Sequence, residues 1–321
     1  MLVLGGTGFV GQPLVRALAQ LDDDVIAASR AGNGPKGVPL DRRDVDSVRA
    51  LVRERRIETV VDLLAYTEAD TLPLLAALDG QIGRWVMASS CDVYRNYEGL
   101  HRKAQPESIL EPLAEDSPLR ELRHPYRAAP RRDPMAPDAW MDDYDKIPIE
   151  TSVQGMACEW TILRLPMVYG PGDRQRRFRW AIAPMLSKAP SLEAPSAWLD
   201  WTTTYGFIDN VAAAVALAAA HERAANAVFN VADEPVMAHG GWIDRFRSAT
   251  GWTGAPEPTE AETPFARAIS ALDLSVPLDV SSQRLFADLG FNPPVAADAA
   301  AQLTVADEAA RQEAAARGHA T

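Results

Sequence analysis

The 321-residue chain is poor in cysteine and in basic charge, and it contains no long apolar run. Cys91 and Cys158 are its only cysteines, too few for a disulfide framework. The N-terminus shows no basic flank ahead of a long apolar stretch, and no window approaches the roughly 18 uninterrupted apolar residues of a membrane helix. We therefore expect a cytoplasmic protein that makes no membrane contact.

The charge balance is acidic, with 44 acidic against 32 basic residues and a formal net charge of −12. Nucleic acids and anionic membranes favour basic surfaces, so we expect neither as a partner. The five histidines are scattered and the two cysteines lie far apart in the sequence, so no metal site is expected. A small molecule is the expected ligand.

Short apolar runs alternate with segments of helical periodicity through the first half of the chain. The apolar runs lie at 2–4, 25–28, 59–65 and 84–90. This β-α-β-α-β-α-β order predicts an α/β fold: a Rossmann-type doubly wound parallel sheet with helices on both faces. After Gly170 the regularity weakens and proline becomes frequent, which indicates a second, smaller C-terminal domain for the substrate. A surface helix is expected over 296–316.

The motif GGTGFVG at residues 5–11 follows the first strand and opens the first helix. Gly5, Gly8 and Gly11 recur at every third position, a spacing that permits a tight turn, close approach of the backbone to a pyrophosphate, and packing of helix against strand. The helix N-terminus adds unpaired N–H groups for the anion. The motif therefore predicts a dinucleotide site.

The end of the second strand indicates which dinucleotide binds. An acidic residue there would accept hydrogen bonds from the adenosine ribose of NAD, but this strand ends in Ser29 and Arg30. A guanidinium favours the 2′-phosphate of NADP. We therefore favour NADP(H), with NAD(H) as the alternative; Arg30 would in that case stack on adenine or lie in solvent.

Seven motifs occur in the order found in the extended short-chain dehydrogenase/reductases. They are GGTGFVG (5–11), LDRRD (40–44), VVDLLAY (60–66), ASSCDVYR (88–95), KIPIE (146–150), LRLPMVYGPGD (163–173) and YGFIDNVAAAVALA (205–218). The chain resembles the NAD-dependent epimerase/dehydratase group over nearly its whole length. The resemblance implies a Rossmann domain over 1–169, to which 205–232 returns. It also implies a substrate-binding domain formed by 170–204 and 233–321, and often a homodimer.

The resemblance also implies contacts with the cofactor. Asp41 and Arg42 would lie beside the adenine, and Leu64 and Ala65 would line the nicotinamide side. The other residues expected around the cofactor are Thr7, Phe9, Val10, Tyr66, Lys146 and Pro166.

Catalysis in this family uses a serine or threonine, a tyrosine and a lysine. Ser90, four residues before Tyr94, matches the family's hydroxyl residue, and Lys146, four residues before Glu150, matches the lysine. A tyrosine with a pKa of about 10 is a poor base at neutral pH unless a nearby ammonium stabilises the phenolate. The lysine would also hold the nicotinamide ribose while hydride passes between substrate carbon and cofactor.

The tyrosine of this motif is displaced. Asp142 stands four residues before Lys146, where the tyrosine is expected, and Tyr144 is the nearest tyrosine. Two residues of regular helix rotate a side chain by about 200°, which would turn Tyr144 away from the lysine. Pro148 belongs in a first helical turn, so we predict that the helix begins near Asp145 or Lys146, with Asp145 or Asp143 as N-cap, and that Tyr144 precedes it. Tyr144 stays the candidate acid/base; Tyr126, Asp142 or no such residue are the alternatives.

The stretch between Tyr94 and Lys146 is 51 residues long, more than the family typically has, and within it segment 119–140 carries five arginines against three acidic residues. A second basic cluster follows at 174–179. Loops this long are usually functional or disordered. Basic patches in an acidic protein suggest an anionic substrate group, such as a carboxylate or a sugar diphosphate; the alternative is solvated faces with surface ion pairs. The residues expected to contact the substrate are Asp92, Tyr126, Arg127 and Arg177.

Two classes of function follow. The first is an NAD(P)-dependent oxidoreductase, epimerase or dehydratase that transfers hydride at a carbinol carbon of a polar, sugar-like or hydroxylated metabolite. The second is a catalytically degenerate NADP-binding protein with a regulatory or interaction role. Ser90 and Lys146 favour the enzyme, whereas the aspartate at position 142 favours the second class. We prefer the enzyme.

Overall fold

A computed structural model describes residues 1–21, 24–34, 36–104 and 107–318. Within these residues lie thirteen strands and twelve α-helices. In chain order they are β1 (Leu2–Leu4), α1 (Gly11–Leu21), β2 (Ile26–Ser29), β3 (Gly37–Pro39), α2 (Val45–Glu54), β4 (Thr59–Asp62), α3 (Glu68–Leu78), β5 (Arg84–Ser90), α4 (Asn96–Leu100), α5 (Lys146–Gln154), β6 (Glu159–Leu165), β7 (Met167–Tyr169), α6 (Arg179–Leu186), β8 (Ser191–Ala194), α7 (Ser196–Asp200), β9 (Thr202–Thr203), β10 (Tyr205–Phe207), α8 (Ile208–Ala220), β11 (Ala227–Asn230), β12 (Met237–Ala238), α9 (His239–Thr250), β13 (Ala255–Pro258), α10 (Pro264–Ile269), α11 (Gln283–Leu289) and α12 (Ala297–Gly318).

A seven-stranded sheet forms the centre of the molecule, in the order β11-β6-β5-β4-β1-β2-β3. Every neighbouring pair in it is parallel. Parallel sheets are covered on both faces, which is why their strands read as continuous apolar runs such as Trp85–Met87. The predicted Rossmann-type α/β fold is confirmed.

Helices cover the two faces of this sheet and enclose two apolar cores. On one face α1 packs against α8, where Leu14 and Leu18 of the first helix join Val211 and Val215 of the second. On the other face α2, α3 and α5 pack in sequence over a separate cluster. Because helices pack on both faces of the sheet, the ends of the strands are held in place. The loops that follow these strands therefore have defined positions.

Two details differ from the sequence prediction. Strand β3 was not expected, because its three residues include glycine and proline, and it lies at the sheet edge where such residues are tolerated. The apolar run from Thr161 divides into β6 and β7, because Pro166 between them has no N–H to donate to a ladder. The predicted C-terminal helix is confirmed as α12.

Smaller sheets lie beyond the central one. β7 pairs with β10, β8 with β13, and β9 with β12. Helices α6, α9 and α12 pack together next to them around an aromatic cluster that includes Phe178, Trp242 and Phe246. None of the helices in the described ranges is both long and apolar enough to cross a membrane.

Candidate active site

A cleft of about 720 Å³ runs along the carboxyl ends of β1, β4, β5 and β6. Parallel strands end at the same edge of a sheet, and open α/β sheets bind ligands there. The ends of these four strands and the loops that follow bring Gly5, Leu64, Ser90 and Pro166 to the cleft wall. Side chains from 198–205 and 269–278 line the cleft as well.

The glycine turn lines the cleft beside β1. The N–H groups of Gly5 and Gly6 both donate to the carbonyl of Ala28, at 3.0 and 3.2 Å. Gly5 has a φ of +88°, and a Cβ placed on Gly11 would lie only 2.1 Å from the carbonyl oxygen of Gly5. The turn therefore packs against the start of α1 more closely than any side chain at position 11 would allow. This close packing fits a dinucleotide pyrophosphate held at a helix N-terminus.

Most of the residues expected around the cofactor line this cleft. They are Gly5, Gly8, Phe9, Val10, Gly11, Leu64, Tyr66, Lys146 and Pro166. Thr7, Ala65, Ser29, Arg30, Asp41 and Arg42 are not among the lining residues. Ser29 accepts a hydrogen bond from the N–H of Gly32 at 3.1 Å, and Arg30 is exposed beside it at the end of β2.

Arg42, expected beside the adenine, makes contacts within the chain. Its guanidinium pairs with the buried carboxylate of Asp62 and donates to the carbonyl of Asp70 at 2.9 Å. Asp62 also accepts from the N–H of Leu64 at 2.8 Å. Because its two Nη groups join the end of β4 to the start of α3, Arg42 stabilises the loop that carries Leu64. The adenine contact stays a prediction.

Tyr144 precedes the regular helix, as Pro148 predicts. Helix α5 begins at Lys146, Pro148 lies in its first turn, and Tyr144 is extended with φ −63° and ψ 127°. Asp145 stands at the N-cap position but makes no side-chain cap bond, because its carboxylate binds arginines instead. The predicted helix start is confirmed, and the 200° rotation that would separate Tyr144 from Lys146 does not apply.

The hydroxyl of Tyr144 donates to Oδ2 of Asp92 at 2.8 Å, and the hydroxyl of Tyr126 donates to the same oxygen at 2.9 Å. All three side chains line the cleft. Burial raises the pKa of Tyr144 well above its usual range, and the Asp92 carboxylate raises it further, while the Ser90 hydroxyl opposes both. Tyr144 is therefore a phenol, and not a phenolate, at neutral pH.

Lys146 and Ser90 complete the group. The Nζ of Lys146 donates to the carbonyl of Ala88 at 2.8 Å and lies 4.8 and 5.7 Å from the ring centres of Tyr66 and Tyr144. Burial lowers the pKa of Lys146 to about 8. The Oγ of Ser90 accepts the N–H of Asp92 at 3.2 Å, in the turn that follows β5. The structure thus brings the three expected catalytic residues to one part of the cleft.

Asp142, an alternative donor, is outside this group. It is buried, it accepts the N–H groups of Ala128 and Arg132 at 2.9 and 2.7 Å, and it pairs with the Arg132 guanidinium. It does not line the cleft. Asp142, which stands where the resemblance led us to expect a tyrosine, therefore holds segment 119–140 in place.

All five arginines of segment 119–140 pair with carboxylates of this chain. The pairs include Arg120–Asp145, Arg123–Asp145, Arg123–Glu68, Arg127–Asp143, Arg131–Asp143 and Arg132–Asp142. The sequence left open whether these arginines bind an anionic substrate or form ion pairs within the protein, and the geometry favours ion pairs. The surplus of arginine inside the segment is balanced by acidic residues outside it, so it is not a measure of charge offered to a substrate.

Arg127 and Arg177, both expected at the substrate, differ in position. Arg127 does not line the cleft; it donates to the carbonyl of Asp142 at 2.9 Å and pairs with Asp143. Arg177 does line the cleft, but its Nη1 already donates to the carbonyl of Val168 at 2.7 Å and to Asp173 at 2.8 Å. The geometry therefore gives no support to a substrate contact of Arg127 and leaves Arg177 at the cleft edge.

An aromatic wall lines the cleft, and the sequence predicted only Tyr126 of it. Its members are Tyr97, Tyr126, Trp140, Trp198, Trp201 and Tyr205. Trp140 stacks on Tyr66 at 4.7 Å between ring centres, and Trp201 donates its indole N–H to the carbonyl of Val276 at 2.9 Å. Trp198 and Trp201 lie three residues apart in the sequence. This spacing is equally typical of the buried face of a helix, so it does not by itself indicate a ligand site.

Together, the parallel sheet, the glycine turn and the cleft at the strand ends define a dinucleotide-binding protein of the Rossmann type. The chain belongs to the NAD dependent epimerase/dehydratase family, whose model matches residues 1–232. The resemblance read from the seven motifs is thereby confirmed, and the chain is of the NAD-dependent epimerase/dehydratase type.

The similarity to individual curated proteins is low or covers only part of the chain. The chain is 22% identical over 278 residues, 80% of its length, to the chloroplast stem-loop binding protein of 41 kDa b of Arabidopsis thaliana. It is 35% identical over 96 residues, 28% of its length, to 2'-dehydrokanamycin reductase of Streptomyces kanamyceticus. These matches span 64% and 27% of the lengths of the two relatives.

Among solved structures, the chain is similar to UDP-glucose 4-epimerase of Thermus thermophilus in complex with NAD. The TM-score is 0.62 at 22% identity, over 96% of this chain and 98% of that one. At this identity the similarity describes the fold.

Proposed function

We propose that this protein is an NAD(P)-dependent enzyme that transfers hydride at a hydroxyl-bearing carbon of a small substrate. Net oxidation or reduction, epimerisation and dehydration all share that first step. The observation that supports this most directly is the meeting of Ser90, Tyr144 and Lys146 in one part of the cleft, despite the displaced tyrosine. The extended segment ahead of α5 presents the Tyr144 hydroxyl from outside the helix.

The residues of the cleft divide between cofactor and substrate. The glycine turn and the start of α1 would hold the pyrophosphate, and Leu64, Tyr66 and Lys146 would surround the nicotinamide end. The bound dinucleotide supplies the hydride acceptor or donor. Segments 170–204 and 233–321 would provide the substrate side, in keeping with the two-domain division proposed from the sequence.

Tyr144 exchanges the proton of the reacting oxygen in this proposal. Because its pKa is raised, it acts as a proton donor to a carbonyl oxygen in the reducing direction. Lys146, with a pKa of about 8, is mostly charged at neutral pH and stabilises negative charge that develops on the oxygen. The Ser90 hydroxyl would orient the same oxygen.

The side chains of the cleft favour a substrate with an uncharged, ring-bearing body. Of the described residues that line the cleft, Asp92, Lys146 and Arg177 carry charge, and Arg177 is already paired with Asp173. Burial lowers the pKa of His101 to about 4, so this lining residue is neutral at pH 7. The aromatic wall offers area for apolar contact. We therefore revise the anionic substrate expected from the arginines.

The cofactor preference that we propose is NADP(H). Arg30 is exposed at the end of β2, and no ion pair occupies its guanidinium in the described part of the chain. A 2′-phosphate bound by Arg30 would give Arg30→Ala a loss of NADPH affinity with little change for NADH. Dissociation constants for both cofactors, measured in wild type and variant, decide the point; an unchanged ratio removes Arg30 from the recognition of phosphate.

The test of the function is a spectrophotometric assay at 340 nm with NADP⁺ or NAD⁺, complemented by NMR of the products, because epimerisation returns the hydride to the substrate and leaves no net change at 340 nm. The probes are mandelate and methyl mandelate, which differ by one charge on the same ring-bearing alcohol, together with 1-phenylethanol and UDP-glucose. We expect turnover of the neutral alcohols to exceed that of mandelate and UDP-glucose. Preferred turnover of UDP-glucose would contradict the substrate class but not hydride transfer.

Tyr144→Phe is expected to lower turnover by about 10²–10⁴-fold, because general acid–base catalysis contributes that much. Tyr169→Phe is the matched control: it removes a buried hydroxyl that donates to Asp233 at 3.3 Å, away from the cleft. Turnover of Tyr144→Phe near wild type would exclude Tyr144 from the chemistry. Tight cofactor binding with no turnover of any alcohol or ketone would favour the catalytically degenerate alternative.

A further inference from the structure

We propose that Asp92 accepts the proton that Tyr144 releases, so that Asp92, Tyr144 and Tyr126 form a proton relay in the cleft. The inference rests on the proposed function, because it concerns the fate of the substrate proton. It assigns a reason to the unusual position of Tyr144, which faces a carboxylate as well as a lysine.

The geometry around Asp92 is that of a proton acceptor. One carboxylate oxygen, Oδ2, receives the two phenol hydroxyls of Tyr144 and Tyr126 at 2.8 and 2.9 Å. The other oxygen, Oδ1, is buried and has no hydrogen-bond partner among the described residues. Asp92 is only 5% exposed. Burying a charged carboxylate without a bonded cation costs free energy, and the two phenol hydrogen bonds do not supply a cation. Protonation of the carboxylate removes that cost.

Nearby cations do not bind this carboxylate directly. Arg120 donates its Nε to the backbone carbonyl of Asp92 at 3.1 Å, and its Nη2 pairs with Asp145 at 2.6 Å. Lys146 donates to the carbonyl of Ala88. The titratable groups that face Asp92 are Cys91, Tyr97, Arg120, Tyr126, Tyr144 and Lys146. Burial raises the pKa of Asp92, and Arg120 opposes the rise most strongly, followed by the Tyr144 and Tyr126 hydrogen bonds.

The proton step balances as follows in the oxidising direction. The O–H bond of the substrate alcohol breaks and its proton passes to Oη of Tyr144, while the original Tyr144 proton passes to Oδ2 of Asp92. The adjacent C–H bond breaks and its electron pair leaves as hydride to the oxidised dinucleotide, so the substrate becomes a carbonyl compound. Asp92 ends neutral, and Tyr144 ends as the phenol it was at the start. A phenolate, which burial opposes, is never needed as a stable species.

The first arm of the test measures the carboxyl group without substrate or cofactor. In protein labelled with ¹³C at the aspartate carboxyls, the NMR resonance missing from Asp92→Asn belongs to Asp92. We expect it to titrate above the ordinary aspartate range, and at still higher pH in Tyr144→Phe and Tyr126→Phe, because each variant removes a donor to the charged form. An ordinary or lowered pKa, or one that Tyr144→Phe leaves unchanged, would overturn the relay.

The second arm measures the pH profile of alcohol oxidation with methyl mandelate or 1-phenylethanol. The rate should fall tenfold per pH unit below the Asp92 pKa, because the relay needs the carboxylate. Asp92→Asn should lose this acid limb and at least about 100-fold in kcat. Asp92→Glu should restore part of both, and Tyr126→Phe should move the limb to higher pH. A wild-type limb in Asp92→Asn, or an unmoved limb in Tyr126→Phe, would contradict the proposal.

The two arms separate failure of the relay from failure of the function. If wild type oxidises a probe and the variants keep its profile, the relay is wrong and the function stands. If wild type neither oxidises nor epimerises any of the probes, the proposed function fails, whereas the first arm still reports whether Asp92 and Tyr144 share a proton. Tyr126→Phe covers the case in which Asp92→Asn does not fold.

Discussion

The insertion at 119–143 and the strand-end site around Asp92 hold buried carboxylates in opposite ways. The buried carboxylates that arginines of the insertion reach have guanidinium partners, as Asp145, two residues beyond the insertion, has Arg120 and Arg123. At the site, Asp92 has two phenols on one oxygen and no hydrogen-bond partner on the other among the described residues. The same residue type is therefore a fixed anion in one region and a group with raised proton affinity in the other.

The pKa directions express this difference. Burial alone would raise the pKa of Asp145, but the hydrogen bonds from Arg123 and Arg120 hold it below its ordinary value. Burial raises the pKa of Asp92, and Arg120 does not reverse the shift. Charged partners thus give Asp145 a structural role, whereas phenol partners leave Asp92 able to exchange a proton.

The largest effect should come from Arg120→Met, which keeps apolar volume but removes a buried guanidinium. Both Arg120 and Asp145 side chains are fully buried in their pair. Removing one member of such a pair leaves the other charge buried without a partner, which lowers the free energy of unfolding by about 3–5 kcal/mol. Urea unfolding of the variant measures this loss, with Arg127→Ala as control, since that half-exposed pair contributes about 0–1 kcal/mol. Equal losses in the two variants would contradict the distinction between buried anchor and surface pair.

The pH dependence of stability should have opposite signs at the two aspartates. The folded-state pKa of Asp145 is lowered, so its contribution is present above the unfolded-state value of about 4 and is lost as pH falls through the folded value. The folded-state pKa of Asp92 is raised, so its contribution is present below about pH 4 and is lost as pH rises through the folded value.

Two substitutions test this sign at pH 7. Asp145→Asn should destabilise the protein and flatten its loss of stability in acid. Asp92→Asn should change the free energy of unfolding by no more than about 1 kcal/mol, because it removes a charge that burial disfavours. Urea unfolding from pH 3 to 8 provides both curves. Similar losses for the two variants at pH 7 would place Asp92 among the fixed anions.

A small effect is also expected for Trp140→Ala. This residue extends from the insertion to stack on Tyr66, beside Lys146, and is 39% exposed. Loss of one aromatic pair should cost about 0.5–1.5 kcal/mol of stability. We expect cofactor affinity to fall by less than about tenfold for the same reason. A larger loss, measured by NADPH titration, would mean that the insertion and not the strand ends controls cofactor binding.

The central sheet and the start of α5 could be predicted from the sequence because both depend on local chemistry. Apolar runs indicate the buried parallel strands, and Pro148 requires a first helical turn, which moved Tyr144 off the helix. Glycine spacing likewise predicted the turn beside β1, where Gly11 meets Gly5.

The partners of the arginines could not be predicted. Arg120 and Asp145 lie 25 residues apart, and Arg123 and Glu68 lie 55 apart, with no periodic pattern to join them. The same limit applies to Asp92, which the sequence suggested as a substrate contact without any sign that Tyr144 and Tyr126 share one of its oxygens. The net charge of a sequence segment therefore does not predict how much unpaired charge a bound ligand would contact.

The ion pairs that anchor the insertion also suggest a site at which a label could be attached. Met135 at its tip is 88% exposed, while Asp142 and Asp145 fasten its base through Arg132, Arg120 and Arg123. A fluorophore or a short peptide joined at position 135 would be carried by a segment whose last residue directly precedes Tyr144. Ligand arrival in the cleft could then be followed optically without altering any residue that lines it.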